Sequence, residues 1–406
     1  MEAKLVMSGP RAAESKDSKP DARIGEPPTE PEVVRPEDDL PPVRRVGVVF
    51  GGPSREHGVS FFSARCLLDN LPKNRYEAVP LYVTKEGVWL TPKDSRAEFD
   101  RQMRRKPREL LLDGMQAGPP PAPAAEIVAS FTEAFHEAGV DVLFPINHGT
   151  YGEDGVNQGL FESMGIPYVG FGVAASAVGM DKIFMKALFG AAGLPQVGYV
   201  PLARYDWQSA GRRHLLEERL EMMPLPLFVK PSCAGSSVGV SKVKRHEDLR
   251  RAIDTAFDFD SRVLVEEGVN AREIECSVLE GEDGSMPEAS VPGEIIPGHE
   301  FYDYEDKYID DKSRSVIPAE LTEAVKDEVR TLAIAAFETV GGAGFARVDF
   351  FVERGTDKVY LNELNSLPGF TPISMYPKMW EASGMALPNL LDRLVRSAFQ
   401  RPVRGR

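Results

Sequence analysis

The chain has 406 residues, which is too long for one ordinary hydrophobic core and suits two or three domains of about 100–200 residues each. Its 42% hydrophobic and 27% charged content excludes a chain that is disordered throughout or collagenous. Lys and Arg number 48 against 62 Asp and Glu, which gives a net charge of −14. Such an acidic balance argues against nucleic-acid binding and against attraction to anionic membranes.

Cysteine spacing and the shortness of the apolar runs indicate the cellular setting. Cys66, Cys233 and Cys276 are odd in number and widely spaced, which fits neither a disulfide framework nor a zinc site. The apolar cluster at 5–7 is far shorter than a signal-peptide core, and no apolar run approaches the ~18 residues that span a bilayer. We therefore expect a cytoplasmic protein without membrane insertion.

Strands and helices are predicted to alternate in the first third of the chain. A β-branched strand at 45–50 runs into a glycine turn, after which a helix is expected to open near Val59. A second strand follows at 76–83, and a helical pattern from 127 leads to a buried strand at 140–144. Because strands alternate with helices, we predict a parallel α/β sheet in this part of the chain.

Residues 92–126 interrupt this alternation, and we predict an irregular stretch whose Pro-rich part, 119–123, is a connector. Its basic cluster at 101–108 is predicted to be a solvated face, with an anion site as the alternative. The elements predicted beyond the first third are, in chain order, a helix at 181–192, strands at 196–201, 227–230, 262–266 and 273–279, a helix at 319–339, and strands at 345–352 and 358–362. A short polar turn joins the last two strands, so we predict that they pair as a hairpin.

Composition divides the sequence into a tail and three domains. Residues 1–43 have no aromatic residue and many prolines and charges, so they cannot bury enough apolar surface to fold. We therefore predict a disordered tail there. The three domains are predicted at 44–172, 173–265 and 266–400.

A loop of small residues follows Lys230, at the end of a predicted strand. The run at 231–240 is rich in Gly and Ser, so its backbone N–H groups are able to approach a phosphate closely. Lys230 adds a compact positive charge at the same place. A flexible hairpin turn explains the same pattern, and the spacing excludes a Walker A loop.

Two neighbouring strands near the end of the chain carry polar residues at alternating positions. Arg347 and Asp349 share one face of their strand, and Glu363 and Asn365 share one face of the next. If the strands pair, the oxygens of Asp349, Glu363 and Asn365 converge into a set that suits Mg²⁺. A solvated face with a surface ion pair is the alternative, which the apolar residues between these positions disfavour.

Weaker signals come from an extended connector and from a strand end. Glu266 and Glu273 lie where a connector contacts adenine and ribose in many nucleotide sites, although a linker with surface glutamates fits equally well. His148 follows a predicted strand, where either a structural histidine or a ligand-site residue is expected. The glycine spacing excludes a dinucleotide-binding fingerprint.

Seven motifs, taken in chain order, resemble those of the D-alanine–D-alanine ligases of the ATP-grasp superfamily. They lie at 51–60, 148–159, 179–182, 230–240, 301–308, 344–349 and 361–377. The resemblance covers nearly all of 44–400. It implies an α/β ATP-grasp fold, in which an N-terminal doubly wound parallel-sheet domain binds substrate and two α+β domains clamp ATP, the last of them catalytic.

The resemblance also implies an activity. ATP phosphorylates the carboxylate of one D-alanine, and the amine of a second attacks the acyl phosphate to give D-alanyl-D-alanine, a peptidoglycan precursor. ATP, two Mg²⁺ ions (or Mn²⁺), D-alanine as the small-molecule substrate and a homodimer are expected. The alternatives are a related ligase that uses D-serine or another second substrate, and a non-catalytic nucleotide-binding regulator.

The resemblance assigns roles residue by residue. The implied ATP contacts are Lys182, Lys230, Ser237, Glu266, Glu273 and Lys307. The implied metal ligands are Asp349, Glu363 and Asn365. The implied substrate contacts are Glu56 for the ammonium of the first D-alanine, Ser374 and Met375 for the carboxylate of the second, and His148, which lines the pocket. Arg347 and the N–H of Gly369 are implied to stabilise the tetrahedral intermediate. Ser236 and Tyr308 are implied to take part in closing the 301–308 loop over the site.

Some positions bear on specificity or depart from the family pattern. The loop at 302–308, which ends in Tyr308, favours an amine over a hydroxyl as the second nucleophile. Gly58 stands where many relatives have an acidic residue, and Cys233 and Ala234 alter the middle of the phosphate loop. The pattern extends to neither the tail nor the 92–126 segment.

Overall fold

The computed structural model describes residues 43–116, 118–235, 237–298 and 313–401. The predicted tail, apart from its last residue, lies outside these ranges, as do three residues of the predicted site, Ser236, Lys307 and Tyr308. The described residues belong to one compact unit. No helix within the described ranges is both long and apolar enough to cross a membrane.

The described residues contain the following strands and helices. The strands are β1 (Arg44–Gly51), β2 (Tyr76–Val83), β3 (Val142–Pro145), β4 (Tyr199–Ala203), β5 (Leu227–Pro231), β6 (Ser241–Val243), β7 (Arg262–Glu267), β8 (Ala271–Leu279), β9 (Glu288–Ala289), β10 (Gly293–Ile296), β11 (Arg314–Val316), β12 (Phe345–Glu353) and β13 (Val359–Asn365). The helices are α1 (His57–Asn70), α2 (Pro92–Gln102), α3 (Pro107–Met115), α4 (Ala124–Ala138), α5 (Val156–Ser163), α6 (Val173–Met180), α7 (Lys182–Ala191), α8 (Arg204–Gln208), α9 (Ala210–Glu221), α10 (Leu249–Phe257), α11 (Glu323–Thr339), α12 (Met375–Ala382) and α13 (Leu387–Gln400).

The first sheet has the strand order β2-β1-β3, and all of its pairings are parallel, as predicted. β1 is fully buried along most of its length because its Val and Phe side chains are covered on both faces of the sheet. One face packs against α1 and the last helix, α13, and the other against α4 and α5. α1 begins at His57, two residues before its predicted start.

The prediction of an irregular stretch at 92–126 is wrong for most of its length, because this segment contains α2, α3 and the start of α4. Its Pro-rich part at 119–123 lies between α3 and α4 and is a connector, as predicted. Pro92 and Pro107 occupy the first turns of α2 and α3, where proline costs no hydrogen bond, and Thr91 caps α2 by accepting from the N–H of Asp94. The prolines therefore mark helix starts in a segment whose high charge hides the helical pattern. Its basic cluster is largely solvated, as predicted, with Arg101 paired to Glu98.

The departure at Gly58 has a structural reason in this segment. A Cβ atom on Gly58 would overlap the backbone carbonyl oxygen of Leu110, and one on Gly114 would lie 2.8 Å from the N atom of Gly58. Two glycines thus let the backbones of α1 and α3 approach closely. An acidic side chain at position 58 is incompatible with this packing of α3.

We expect Gly58→Ala to lower the free energy of unfolding by about 1–3 kcal/mol, because the added methyl group overpacks the α1–α3 contact. The matched control is Gly159→Ala in α5, where an added Cβ meets no atom within 4 Å. Alanine is the better helix former, so the control variant should be at least as stable as the parent. Urea unfolding compares the two, and a Gly58→Ala protein as stable as the control would contradict the packing argument.

The second sheet has the order β4-β7-β5-β6 and is antiparallel. α9 and α10 cover one of its faces with Leu220, Ile253 and Phe257. β5 and β6 form a hairpin whose connection is the small-residue loop after Lys230. The strand predicted at 227–230 is therefore confirmed, and the one predicted at 196–201 begins three residues later, as β4.

The third sheet has the order β11-β10-β8-β12-β13, with β9 also paired to β8. α7 and α11 pack on one face through Met185, Phe189, Val329 and Phe337. β12 and β13 form the predicted antiparallel hairpin. The predicted helix at 181–192 is α7, with Asp181 as its N-cap, which accepts from the N–H groups of residues 183 and 184.

Candidate active site

The β12–β13 hairpin brings the predicted polar residues together. Asp349 lies directly opposite Glu363, and Arg347 directly opposite Asn365, so all four side chains share one face of the sheet. The amide Nδ2 of Asn365 donates to Oδ2 of Asp349 at 3.0 Å. The opposite face of the hairpin packs on the apolar core, which fixes the backbone beneath these groups.

Arg347 is held by two carboxylates. Its Nε and Nη2 donate to the two oxygens of Asp349 at 2.7 and 2.8 Å, and its Nε lies 3.2 Å from Oε2 of Glu275 on β8. Burial opposes the charged form, but Asp349 and Glu275 outweigh it and raise the pKa of Arg347. Glu275 was not predicted from the sequence, although its position two residues after Glu273 on the same strand face was a usable signal.

The oxygens of the hairpin suit a hard cation. Asp349 and Glu363 supply carboxylates and Asn365 an amide, which are oxygen donors of the kind Mg²⁺ prefers. Among the described residues, no group of three or more His, Cys, Asp or Glu side chains is arranged to hold a metal ion. A cation here would therefore need the amide, and phosphate or water oxygens, besides the two carboxylates.

Lys182 connects the hairpin to the phosphate loop. Its Nζ lies 3.5 Å from Oε2 of Glu363 and donates to the carbonyl oxygen of Ala234 at 2.9 Å. Its backbone N–H donates to the carbonyl of Ser232 at 3.0 Å. The hairpin at Glu363 and the phosphate loop at Ala234, about 130 positions apart in the sequence, therefore meet through one ammonium group at the start of α7.

The first residues of the phosphate loop are anchored by buried Asp181. Its carboxylate accepts from the hydroxyl of Ser232 at 2.7 Å and pairs with Arg262 on β7. The Cys233 thiol donates to the same carboxylate at 3.5 Å. Burial, together with Asp181, raises the pKa of this thiol to about 12, so Cys233 is a donor here and not a nucleophile.

Lys230 points toward a buried carboxylate. Its Nζ lies 2.5 Å from Oε2 of Glu266, whose Oε1 lies 2.6 Å from the Nζ of Lys186. Glu266 and Lys186 are 2% and 1% exposed. Burial raises the pKa of Glu266, but the two lysines outweigh it and bring it down to about 2. Glu266 thus occupies β7 as the centre of a buried ion-pair cluster, and its carboxylate is not presented on an open connector.

Glu273 lies near this cluster, where its charge raises the pKa of Lys230, and Ser237 lies in the phosphate loop. Glu273 lies on the same face of β8 as Glu275 and directly opposite Phe351 of β12. Ser237 has a φ of 59°, a left-handed conformation that bends the phosphate loop. Lys186 was not predicted from the sequence, although it lies four residues after Lys182 on one face of α7.

Glu56 lies between two loops. It immediately precedes α1, and a Cβ on Gly235 of the phosphate loop would be 3.2 Å from its Oε2. A Cβ on Gly149, in the loop after β3, would lie 2.9 Å from the same oxygen. Glu56 therefore meets the edge of the first sheet and the small-residue loop at one point.

His148 ties the first sheet to the segment after β13. Its Nδ1 donates to the carbonyl of Leu367 at 3.0 Å, and its Nε2 lies 3.0 Å from the hydroxyl of Ser63 on α1. The Ser63 hydroxyl also accepts from the N–H of Phe370 at 3.3 Å. Burial lowers the pKa of His148, but the carboxylate of Glu153 outweighs it, so the pKa is raised overall.

The start of α12 completes the arrangement. Ser374 is the N-cap residue of α12, and its Oγ would lie 2.7 Å from a Cβ on Gly369. Met375 buries its side chain against Ile295 and Met379, so this side chain does not face a ligand. The end of the hairpin segment and a helix N-terminus, which attracts anions, are thus adjacent.

Comparisons with known proteins agree with this arrangement. The family model described as the D-ala D-ala ligase N-terminus matches residues 45–171, and the one described as its C-terminus matches residues 188–396. The D-alanine–D-alanine ligase of Streptomyces coelicolor is 45% identical over 369 residues, covering 88% of this chain and 94% of the relative. That of Geobacillus thermodenitrificans is 43% identical over 361 residues, covering 88% and 96%.

Solved structures show the same likeness. The D-alanine-D-alanine ligase of Coxiella burnetii matches with a TM-score of 0.69 and 36% identity, covering 88% of this chain and 94% of that one. The VanG D-Ala:D-Ser ligase of Enterococcus faecalis matches with a TM-score of 0.68 and 29% identity, covering 88% and 99%. The ATP-grasp fold predicted from the motifs is confirmed by these neighbours. Both halves of the chain match, so this protein belongs to the D-alanine–D-alanine ligase family.

Proposed function

We propose that this protein is an ATP-dependent ligase that joins two D-alanines into D-alanyl-D-alanine through an acyl phosphate, for peptidoglycan precursor synthesis. The observation that carries the proposal is the contact of Lys182 with both Glu363 and Ala234, which joins the polar hairpin to the phosphate loop. Membership of the family supplies the reaction.

The first step transfers a phosphoryl group from ATP to the carboxylate of one D-alanine. Lys182 and Lys230 would offset the negative charge of the phosphates, because like charges otherwise keep donor and acceptor apart. Asp349, Glu363 and Asn365 would hold two Mg²⁺ ions, with Mn²⁺ as the alternative. When bound, these ions supply further positive charge at the phosphates. Glu266, through its backbone, Glu273 and Ser237 would complete the nucleotide site.

The substrates would bind at the edge of the first sheet and at the start of α12. Glu56 would accept the ammonium of the first D-alanine, and His148 would line the pocket. The carboxylate of the second would lie at Ser374 and the backbone N–H of Met375, where a helix N-terminus favours an anion.

Peptide bond formation passes through a tetrahedral intermediate with a developing oxyanion. Arg347 and the N–H of Gly369 would donate to this oxygen. Ser236, Lys307 and Tyr308 would close the site and exclude water, which otherwise hydrolyses the acyl phosphate. These roles rest on the family resemblance.

Three further proposals accompany this function. We infer a homodimer and a cytoplasmic location, both from the family resemblance. We also propose the domain boundaries predicted from the sequence, 44–172, 173–265 and 266–400. The packing of α13 on the first sheet means that the last of these domains also contributes to the core of the first.

One observation favours a second candidate activity. The VanG D-Ala:D-Ser ligase matches the chain over 88% of its length, so D-serine is the alternative second substrate. A single assay decides between them. Full-length protein is incubated with ATP, Mg²⁺ and equal D-alanine and D-serine, and phosphate release and both dipeptides are quantified.

We expect phosphate release with D-alanyl-D-alanine as the main product. A main product of D-alanyl-D-serine would favour the second candidate. Binding of ATP without turnover would contradict both activities and leave a nucleotide-binding regulator. Omission of Mg²⁺ should abolish product, since the phosphates would then lack their countercharge.

A further inference from the structure

Glu275 is a buried carboxylate of the site to which the proposed mechanism gives no role. It lies on β8 directly opposite Asp349 of β12, which in turn lies opposite Glu363 of β13. Three acidic side chains therefore form a row across three neighbouring strands. The side chain of Glu275 is 8% exposed, and its Oε2 lies 3.2 Å from the Nε of Arg347.

Asp349, the other carboxylate beside Arg347, accepts several hydrogen bonds and is also a proposed metal ligand. Oδ1 of Asp349 accepts from Nε of Arg347, and Oδ2 accepts from both Nη2 of Arg347 and Nδ2 of Asn365. A carboxylate that turns toward a cation gives up part of this pairing, because its oxygens would then face the cation. Glu275 is the carboxylate that remains beside the guanidinium when that happens.

We propose that Glu275 is a positioning residue that holds Arg347 in place for the tetrahedral intermediate while Asp349 is engaged elsewhere. This inference rests on the proposed function. A guanidinium keeps its charge in any protein environment, so the effect of Glu275 is on the location of that charge and not on its existence. Correct placement of donors before the reaction is what makes an oxyanion site effective.

The third sheet contains a matched control for this pair. Arg272 and Glu294, on β8 and β10, form an ion pair at 2.5 Å with side-chain exposures of 20% and 8%. The corresponding values for Arg347 and Glu275 are 19% and 8%. Loss of either glutamate removes a buried carboxylate next to an arginine, but only Glu275 adjoins the proposed oxyanion site.

The test compares Glu275→Gln with Glu294→Gln in the full-length protein. For each variant, kcat, the KM for ATP, thermal stability and the affinities for ADP and for a dipeptide phosphinate are measured. The phosphinate has a tetrahedral phosphorus that resembles the intermediate. We expect Glu275→Gln to lower kcat and phosphinate affinity at least tenfold, with the KM for ATP and ADP affinity changed less than twofold. Glu294→Gln should keep kcat and phosphinate affinity within twofold of the parent.

The outcomes separate this inference from the proposed function. A parent protein that makes no dipeptide overturns both, whereas an active parent leaves only the role of Glu275 in question. Unchanged kcat and phosphinate affinity in Glu275→Gln, or an equal loss in Glu294→Gln, overturns the inference. If Glu275→Gln does not fold, Glu275→Asp replaces it, because the shorter side chain keeps the charge. Its kcat should fall by less than tenfold but by more than that of Glu294→Gln.

Discussion

Replacing Arg347 by alanine should lower kcat by about 10²–10³-fold, which is the usual cost of losing one donor to a developing oxyanion. The KM for ATP should change little, because the guanidinium lies on the hairpin, where it contacts Asp349 and Glu275. Steady-state kinetics with ATP and D-alanine, at saturating Mg²⁺, provides both values. A loss confined to kcat identifies an interaction made mainly in the transition state.

The size of this effect follows from the surroundings of the guanidinium. Arg347 lies in a partly buried site, where a fixed charge acts more strongly than it would in water. Alanine also leaves Asp349 and Glu275 facing each other across β12 and β8 without the cation between them. Some loss of stability is therefore expected together with the loss of kcat, and a control is needed to separate the two.

Arg272→Ala is that control. It removes an arginine of the same sheet with almost the same side-chain exposure, 20% against 19%, and also leaves a buried glutamate without its partner. We expect a comparable fall in melting temperature and a kcat within about threefold of the parent. Equal losses of kcat in the two variants, or unchanged turnover in Arg347→Ala, would contradict the role of Arg347.

The hairpin shows how far the sequence alone leads. Alternation predicted that Arg347 and Asp349 share one face of their strand and that Glu363 and Asn365 share one face of the next. The predicted pairing of the two strands is confirmed. Glu275 escaped because it lies on a strand some 70 positions earlier, and the neighbour of a strand in a sheet is set by tertiary structure. The direct opposition of Glu275 and Asp349 follows from the order β8-β12, which no local pattern contains.

The segment at 92–126 shows the opposite difficulty. Its helices were missed because charged surfaces weaken the helical pattern and because proline was interpreted as a breaker. In α2 and α3, proline instead occupies the first turn, where it is compatible with a helix. The need for glycine at position 58 could not be predicted from the sequence, because it comes from the backbone of Leu110 in the folded structure.

Removal of the Glu266 carboxylate should destabilise the protein more than any other single change considered. Glu266→Ala leaves Lys186 and Lys230 facing each other in a buried site with no anion between them. Loss of one partner from a buried ion pair costs about 3–5 kcal/mol. Urea unfolding measures this cost. Glu217→Ala, which removes the 2.5 Å ion pair with the exposed Arg250, should cost less than about 1 kcal/mol.

Charge balance in the cluster supplies the decisive comparison. In the double variant Lys186→Met/Glu266→Gln, one positive and one negative charge are removed together, so Lys230 keeps a polar neighbour and no uncompensated pair of cations remains. This variant should recover most of the stability that Glu266→Ala loses, because replacing both partners of a buried pair is often nearly neutral. A double variant as unstable as Glu266→Ala would show that shape, and not charge, holds this site.

The pH dependence of stability tests the same cluster without a change of side-chain shape. The two lysines hold the pKa of Glu266 at about 2, below its ordinary value of 4.5. Its stabilising contribution is therefore fully present above pH 4.5 and is lost as the pH falls toward 2, since the unfolded chain takes up the proton first. The double variant lacks this carboxylate, so between pH 4.5 and pH 2 it should lose less stability than the parent. Parallel acid-unfolding curves for the two proteins would mean that Glu266 is not the anion that holds Lys186 and Lys230 together.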